Sequence, residues 1–392
     1  MKILDKMIIK EFIPNFFSSL TILVFVLILN RIFELMNMIV AKHVEVMIVL
    51  KLFLFNLPFI IFLTIPMAVL VSSIITFGRM SSDFEIAAMR SAGINVIKRI
   101  FILFSFSAIL FALAFFFADV IVPYSNHSVR NILTQIVQMK PAVSIEEKVM
   151  KWSYDNKTRF YFEKIKDDNT FKNCRVFQNN STISCESGNI IHGKEKHDVF
   201  IKMNEGEMLD MNERGNFRTI NFSSLILKMK MSETITENRG NERGDREMNI
   251  ASLMENIKAI EESYKEKISK DQQERKKRAI YRNLTEIHKK ISISFGVFAF
   301  ILLGSIIGVT LKKSSLALGF TISTVLFVLY YMMLVLGEQF SDKGIVNPVI
   351  SIWFPNYITL ALCIFLIYSI LNKVEILNLS FINRFKKKNE NT

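Results

Sequence analysis

The residues of this chain with types and spacings suited to chemistry are few, and most do not complete a site. Gly188-Asn-Ile-Ile-His-Gly193-Lys194 matches most of a phosphate-binding loop, in which glycines let backbone amides cradle phosphates and the lysine reaches them. The next residue is Glu195, where magnesium would need a Ser or Thr hydroxyl, so the motif is not expected to bind a nucleotide. His192 and His197 are of metal-ligand type, yet no Cys or carboxylate cluster with ligand spacing accompanies them, and they read as solvated loop histidines. No nucleophile elbow or paired-histidine zinc signature occurs. No metal, cofactor or catalytic residue is expected: the chain reads as a binding and moving part.

Three other groups of residues carry the functional expectations. Phe77 to Asn95, FGRMSSDFEIAAMRSAGIN, is a polar interval shared by two long apolar runs and reads as a short helix over about residues 82–92. Ser82-x-x-Glu85 has capping-box spacing, with the Ser side chain accepting from the N3 amide and Glu85 reaching back to the N-cap amide. Gly93 sits where a residue of positive φ would end the helix, and Lys98 and Arg99 mark the boundary with water. Phe84, Ala87, Ala88 and Ser91, at i, i+3, i+4 and i+7, form one face with a bulky anchor among small neighbours. The second group is Arg31 with Glu34, one helical turn apart: either a snorkelling pair or a cation that meets an anionic head group. The third is Cys174 and Cys185. A two-residue turn at Asn179-Asn180 puts residues summing to 359 opposite each other, and these two do. They are a cross-strand disulfide in an oxidising compartment or two buried thiols. Cys363, within an apolar run, is a small hydrophobe.

The elements that must position these residues follow from composition. The chain has 392 residues, is 51% hydrophobic and contains 35 Phe and 19 Met, more apolar matter than a soluble domain needs. Its apolar residues bunch into runs at Phe12–Met38, Val46–Phe77, Ile97–Val122, Ile291–Leu311, Leu316–Leu336 and Val349–Leu371. Each can span a hydrocarbon core, which takes about 20 helical residues. The expected fold is an α-helical polytopic membrane protein, three helices on each side of an inserted soluble domain. Lys2, Lys6 and Lys10 precede the first run, but it is too long for a signal core and lacks a small-x-small cleavage site, so it is kept as a helix.

With the N-terminus inside, the short inner segments hold Lys2, Lys6, Lys10, Arg79, Arg90, Lys98, Arg99, Lys312, Lys313, Lys373, Arg384 and Lys386 to Lys388. The outer ones hold Lys42, Lys51 and Lys343. That bias places both termini in the cytoplasm and the large insert outside, periplasmic in a cell with two membranes. Lys276-Lys277-Arg278 and Lys289-Lys290 disagree, next to the fourth run on the outer side. Pro58 and Pro66 predict kinks in the second helix.

The division expected is a first membrane half at 1–123, a β domain at 124–248, a connecting helix at 249–290, and a second membrane half with a basic tail at 291–392. From Pro141 to about Met231 short alternating runs recur at Arg159–Glu163, Phe171–Phe177, Ser181–Cys185, Val199–Lys202, Glu205–Met211 and Arg218–Phe222, separated by turn signals. They predict an all-β domain of sandwich or jelly-roll type. A polar linker follows at Glu237–Glu247, and then helical spacing returns the chain to the membrane. Gly304-x-x-x-Gly308 allows close approach of another helix.

The loop FGRMSSDFEIAAMRSAGIN, the run EIHKKISISFGVFAFILLGSIIGV from Glu286, the Tyr330-Tyr331 pair and IWFPN from Ile352 together resemble the YjgP/YjgQ permeases, the LptF and LptG subunits of lipopolysaccharide exporters. The resemblance covers essentially the whole chain, most specifically in the loop and the fourth helix. It implies a heterodimer of two such permeases, each with six helices and a periplasmic jelly roll, served by a cytoplasmic ATPase dimer and passing lipopolysaccharide to a periplasmic jelly-roll bridge protein in the bacterial inner membrane. It also implies that the loop is the coupling helix that docks in the ATPase. Ser82, Asp83, Phe84, Glu85, Ala88, Arg90 and Gly93 are its candidate residues, and Glu85 stands at the family's acidic position. Arg31 falls at a basic position of the lateral gate, so Arg31 and Glu34 become candidate lipid contacts. Two other readings stand beside this one. One is a permease for another amphiphile. The other is a membrane-anchored structural or sensor protein whose β domain binds a partner.

Overall fold

In a computed structural model, the described residues are 3–40, 44–139, 150–152, 158–165, 170–178, 181–192, 198–211, 217–230, 243–263, 270–311 and 316–371. The Asn179-Asn180 turn, residues 193–197 of the phosphate-loop match with His197, Pro141, the linker up to residue 242, and the basic tail from residue 372 lie outside them.

The helices are α1 (Ile3–Val40), α2 (Val46–Ser82), α3 (Glu85–Ser91), α4 (Val96–Phe116), α5 (Val122–Met139), α6 (Ile250–Ser263), α7 (Lys270–Thr310), α8 (Leu316–Asp342) and α9 (Pro348–Leu371). A π-helical turn, Phe117–Ile121, joins α4 to α5. Six helical segments are long and apolar enough to cross a membrane, and each overlaps one of the apolar runs. The third runs past Pro123 to Ile136 rather than stopping at the proline. Pro123 has no N–H for the carbonyl four residues back, and the wider turn lies over those residues.

The chain divides into two compact units. The first gathers α1 up to Ile28, α2 from Leu57, α3, α4 and the chain from Asp245 onward; the second gathers Leu29–Asn56 with Ser125–Gly244.

In the first unit a single apolar core runs from Ile8, Phe12 and Phe16 through α2 and α4 to α7. Gly304 and Gly308 lie against α2. A Cβ on Gly304 would stand 2.7 Å from Ser73 Cβ and 2.8 Å from Leu70 O, and one on Gly308 would stand 2.8 Å from Phe77 Cβ. Backbones this close exclude any side chain, which is why both positions are glycine. Ser81 Oγ, in the last turn of α2, donates to Val309 O across the same contact at 3.3 Å. The motifs in α7, α8 and α9 meet in a buried polar knot. Asn356 Nδ2 donates to Ser292 Oγ at 2.7 Å and Ser292 O at 3.0 Å, Ser292 Oγ donates to Ile352 O at 2.9 Å, and Tyr330 Oη donates to Asn356 Oδ1 at 3.3 Å. These motif residues thus hold three helices together and satisfy one another where water is absent.

In the second unit Leu35, Val44, Val49, Leu52 and Ile136 form a small apolar cluster among α1, α2 and α5. The strands β1 (Lys151–Trp152), β2 (Thr158–Ile165), β3 (Thr170–Gln178), β4 (Ser181–His192), β5 (Asp198–Met211) and β6 (Phe217–Lys230) make one antiparallel sheet in chain order. The expected runs Val199–Lys202 and Glu205–Met211 are one strand, β5. Every strand pairs with the next, so among the described strands there is no Greek-key crossover of the kind a jelly roll requires.

The two-layered character comes instead from a crease. Glu163, Asn173, Glu186, Glu205 and Ser223 occupy one row across β2 to β6 where the ladder is interrupted, and the register sums are the same on both sides of it. Asn173 and Glu205 have left-handed backbones, φ 51 and 49. At this row two consecutive residues of each strand face away from the core, so side-chain parity flips in all five strands together. The sheet can therefore fold along the line while keeping one apolar inner face. Phe160, Phe162, Val176 and Ile183 on one side share a core with Phe171, Ile190, Ile201 and Met203 on the other. Phe162 and Phe171 meet edge to face across the crease with centroids 5.0 Å apart. Gly188 sits in this inner face under the Phe171 ring, where a Cβ would collide with it, so packing accounts for its being glycine.

Candidate functional site

The helix between α2 and α4 exists, but not as a capping box. The helical backbone of α2 continues through Ser82, so Ser82 cannot be an N-cap. The chain reverses over Asp83 and Phe84, with Asp83 N donating to Arg79 O at 2.9 Å and Phe84 N to Ser81 O at 3.2 Å. Phe84 itself holds the N-cap position in the left-handed region, φ 60, and offers no side-chain cap. Left-handed backbone is costly for an aromatic residue and calls for surroundings that impose it. The C-terminal end matches the glycine expectation. Gly93 has φ 75, Gly93 N donates to Arg90 O at 3.1 Å and Ile94 N to Met89 O at 2.8 Å, the paired bonds of a Schellman motif. Asn95 Oδ1 then caps α4, accepting from Ile97 N at 2.9 Å and Lys98 N at 3.4 Å.

α3 has two faces. Ile86 and Met89 are buried in the core that also holds Ile8 and Phe12. Phe84, 76% exposed, projects on the other side with Ala87, Ala88, Arg90 and Ser91 also exposed. Small side chains around one large exposed ring make a surface to which another protein can fit closely. Glu85 is half-buried, and among the described residues its Oε2 has no hydrogen-bond partner. Three ion pairs between described residues flank the helix. Arg79 Nε is 2.7 Å from Glu11 Oε1 and 3.9 Å from Asp83 Oδ2, and Arg99 pairs with Asp5. Lys98 is exposed, whereas Arg99 is largely buried by its pairing. A cavity of about 570 Å³ beside Arg79 is lined by Met7, Lys10, Glu11, Pro14, Asn15 and Ile75.

Arg31 pairs with Glu34 on its own helix and donates from Nη2 to Asn56 Oδ1 of α2 at 3.2 Å. Asn56 in turn donates to Leu52 O at 2.6 Å, so the guanidinium is oriented by a fixed amide. Cys174 and Cys185 are direct cross-strand partners with Cα atoms 5.3 Å apart and their sulfurs joined, in the row of the inner face next to the crease. Among the described residues no group of three or more His, Cys, Asp or Glu is arranged to hold a metal ion.

A charged cluster that sequence reasoning did not single out lies around the π-helical turn. Asp119 Oδ1 accepts from Ile250 N at 2.7 Å, so it caps α6, and from Lys290 Nζ at 3.3 Å. Lys290 Nζ also donates to Met248 O at 2.5 Å. Nearby, Lys289 Nζ lies 2.8 Å from Glu286 Oε1 and 2.9 Å from Glu338 Oε1, and Arg246 Nη2 is 2.8 Å from the same Glu338 oxygen. Burial opposes the Arg246 charge, but Glu286 and Glu338 outweigh it and raise the pKa. The available signal was an acidic residue at the end of the third apolar run and two lysines before the fourth. Lys289 and Lys290, which violated the charge bias, are each paired with carboxylates.

The sequence profile of the family described as lipopolysaccharide export system permease LptF/LptG matches residues 6–369. A protein of Rickettsia prowazekii (strain Madrid E) described as uncharacterized protein RP871 is 22% identical over 240 residues, covering 59% of this chain and 65% of that one. The match therefore spans a little under two thirds of that relative. The family match takes in α3, the polar knot, the charged cluster and the sheet together, and a permease is a transport component without a catalytic centre of its own. With six helices able to cross a membrane and a family match over nearly its whole length, the chain is a multi-pass membrane protein belonging to the LptF/LptG family of lipopolysaccharide export permeases.

Proposed function

We propose that this chain is one of two paired permeases of an ABC-type exporter that extracts lipopolysaccharide, or a related glycolipid, from the inner membrane. ATP is hydrolysed on a cytoplasmic ATPase dimer, and α3 is the coupling helix that docks there. The observation that carries the reading is the two-faced α3 inside a family match of residues 6–369: Ile86 and Met89 anchor it, while Phe84, Ala87, Ala88 and Ser91 face outward. Ser82 and Asp83 form the entry to the helix, Arg90 adds an exposed cation, and Gly93 closes it. Glu85 Oε2, buried and without a hydrogen-bond partner among the described residues, is suited to a basic side chain of the ATPase.

The charge bias of the short loops supports cytoplasmic termini and a periplasmic β domain. On this reading α1 to α4 form a first membrane half, α7 to α9 a second, and α6 the connection from the sheet. Arg31, compensated by Glu34 and oriented by Asn56, meets the lipid phosphates as the lipid enters. The apolar inner face of the creased sheet takes the acyl chains and hands the lipid to a periplasmic bridge protein of similar β type. In the oxidising periplasm Cys174 and Cys185 form a disulfide.

The test is affinity purification of the tagged chain from membranes. The wild type is expected to retain a nucleotide-binding subunit, and Glu85→Ala to lose it while the chain stays folded. Equal retention by wild type and variant refutes the role of Glu85. A wild type purified intact with no nucleotide-binding subunit favours the anchored-sensor reading instead.

A further inference from the structure

Both flanks of α3 are tied to the first turns of α1, and nothing in the transport reading above accounts for this. Before α3, Arg79 Nε contacts Glu11 Oε1 at 2.7 Å; after it, Arg99 pairs with Asp5. Asp5, Ile8, Glu11 and Phe12 fall on one stripe of α1, at i, i+3, i+6 and i+7. Ile8 and Phe12 are fully buried, and their core includes Ile86 and Met89 of α3. The Asp5 and Arg99 side chains are 9% and 13% exposed, so that pair is screened little by water. α3 is seven residues long and has no side-chain N-cap, so it cannot hold its own position by helical stability. Its position is set by what grips its ends.

We infer that Asp5 and Glu11 make a two-point clamp, through Arg99 and Arg79, that delivers a displacement of α3 to α1. Arg79 and Arg99 are then positioning residues that touch neither lipid nor nucleotide. An apolar contact alone allows α3 to slide or roll on its neighbour, because dispersion has little directionality. Ion pairs before and after the helix restrict that freedom: the Arg99 guanidinium donates a directional hydrogen bond to Asp5, and Arg79 holds Glu11 at ion-pair distance. The helix driven in this way is the one that also carries Arg31. The inference rests on α3 being the docking helix of the ATPase.

The test uses the complete exporter, with paired permease and ATPase, in proteoliposomes, and compares Glu11→Gln, Arg79→Gln and the double variant. Glu11 is the better position to change, because its loss leaves only Arg79, 60% exposed, without that partner, whereas loss of Arg79 strands the Glu11 carboxylate, which is 11% exposed. Three quantities are read: ATPase subunit retained, ATP hydrolysed, and lipid released per ATP. Each single variant should retain the ATPase as the wild type does, while lipid released per ATP falls roughly fivefold to tenfold, the scale of an ordinary coupling energy. The double variant should be no worse than either single, because both remove the same link. Additive losses, or wild-type lipid per ATP in both singles, overturn the clamp. A wild-type exporter that retains no ATPase overturns the docking reading, and the clamp falls with it.

Discussion

Replacing Gly308 tests whether the backbone contact of α2 with α7 sets the frame on which α3 is mounted. A Cβ there would lie 2.8 Å from Phe77 Cβ and 2.9 Å from both Gly78 N and Ile74 O. Carbon atoms at rest sit ~3.5–4.0 Å apart, so α2 and α7 would have to part by something near ~1 Å along the seam. Overpacking of this kind costs ~1–3 kcal/mol. Alanine recovers up to ~1 kcal/mol through its helix propensity, whereas valine recovers less and brings two further methyls. Gly308→Ala should therefore be mildly destabilising and Gly308→Val clearly so, by ~2–3 kcal/mol. Gly319→Ala is the control, because its Cβ meets side chains rather than backbone, Ile75 at 3.1 Å and Ile74 at 3.6 Å, and these can shift. In thermal unfolding of the detergent-solubilised protein, ~2–4 °C per kcal/mol puts Gly308→Val well below the wild type and Gly319→Ala beside it. A Gly308→Val protein melting with the wild type, or with the Gly319 control, would refute the seam.

Three further outcomes follow from the same contacts. Asp119→Asn or Lys290→Met alone should destabilise by ~3–5 kcal/mol, because each strands a partner in a largely buried pair, while the double variant should cost less than the sum; equal additive losses in thermal unfolding would show that the two do not interact. With Cys174 and Cys185 eleven residues apart, reductant should lower the thermal midpoint of the wild type by an amount equivalent to ~3 kcal/mol, and unreduced digests should contain the linked peptide; its absence by mass spectrometry rejects the bridge. Arg31→Glu should weaken photocrosslinking of the chain to lipopolysaccharide through charge reversal, whereas wild-type crosslinking would leave Arg31 as the snorkelling partner of Glu34.

Local pattern was legible along the chain wherever neighbours in sequence decide the outcome. The apolar runs coincide with six helices to within a few residues, the alternating runs lie in strands, and the cross-strand register placed Cys174 opposite Cys185 although the turn itself lies outside the described residues. Gly93 ends α3 with positive φ because only the local backbone matters there. The capping box failed for a nonlocal reason. Its spacing is correct, but α2 is held helical through Ser82 by its seam with α7, where Ser81 bonds Val309, and a residue already in a helix cannot cap the next one. The sheet tells a similar story, since each strand reads as ordinary alternation and only the alignment of five parity breaks in one row creates the crease.

The amino-acid sequence by itself determined the elements and the small-residue faces on α3 and α7, because periodicity and glycine placement are properties of residues close in the chain. Only the tertiary structure decided which surfaces meet: Gly304 and Gly308 with α2, Asp119 with Lys290 and the start of α6, Glu11 with Arg79 and Asp5 with Arg99. Those pairings join residues tens to hundreds of positions apart, and they are fixed by steric fit and by the cost of leaving charge unpaired in an apolar interior.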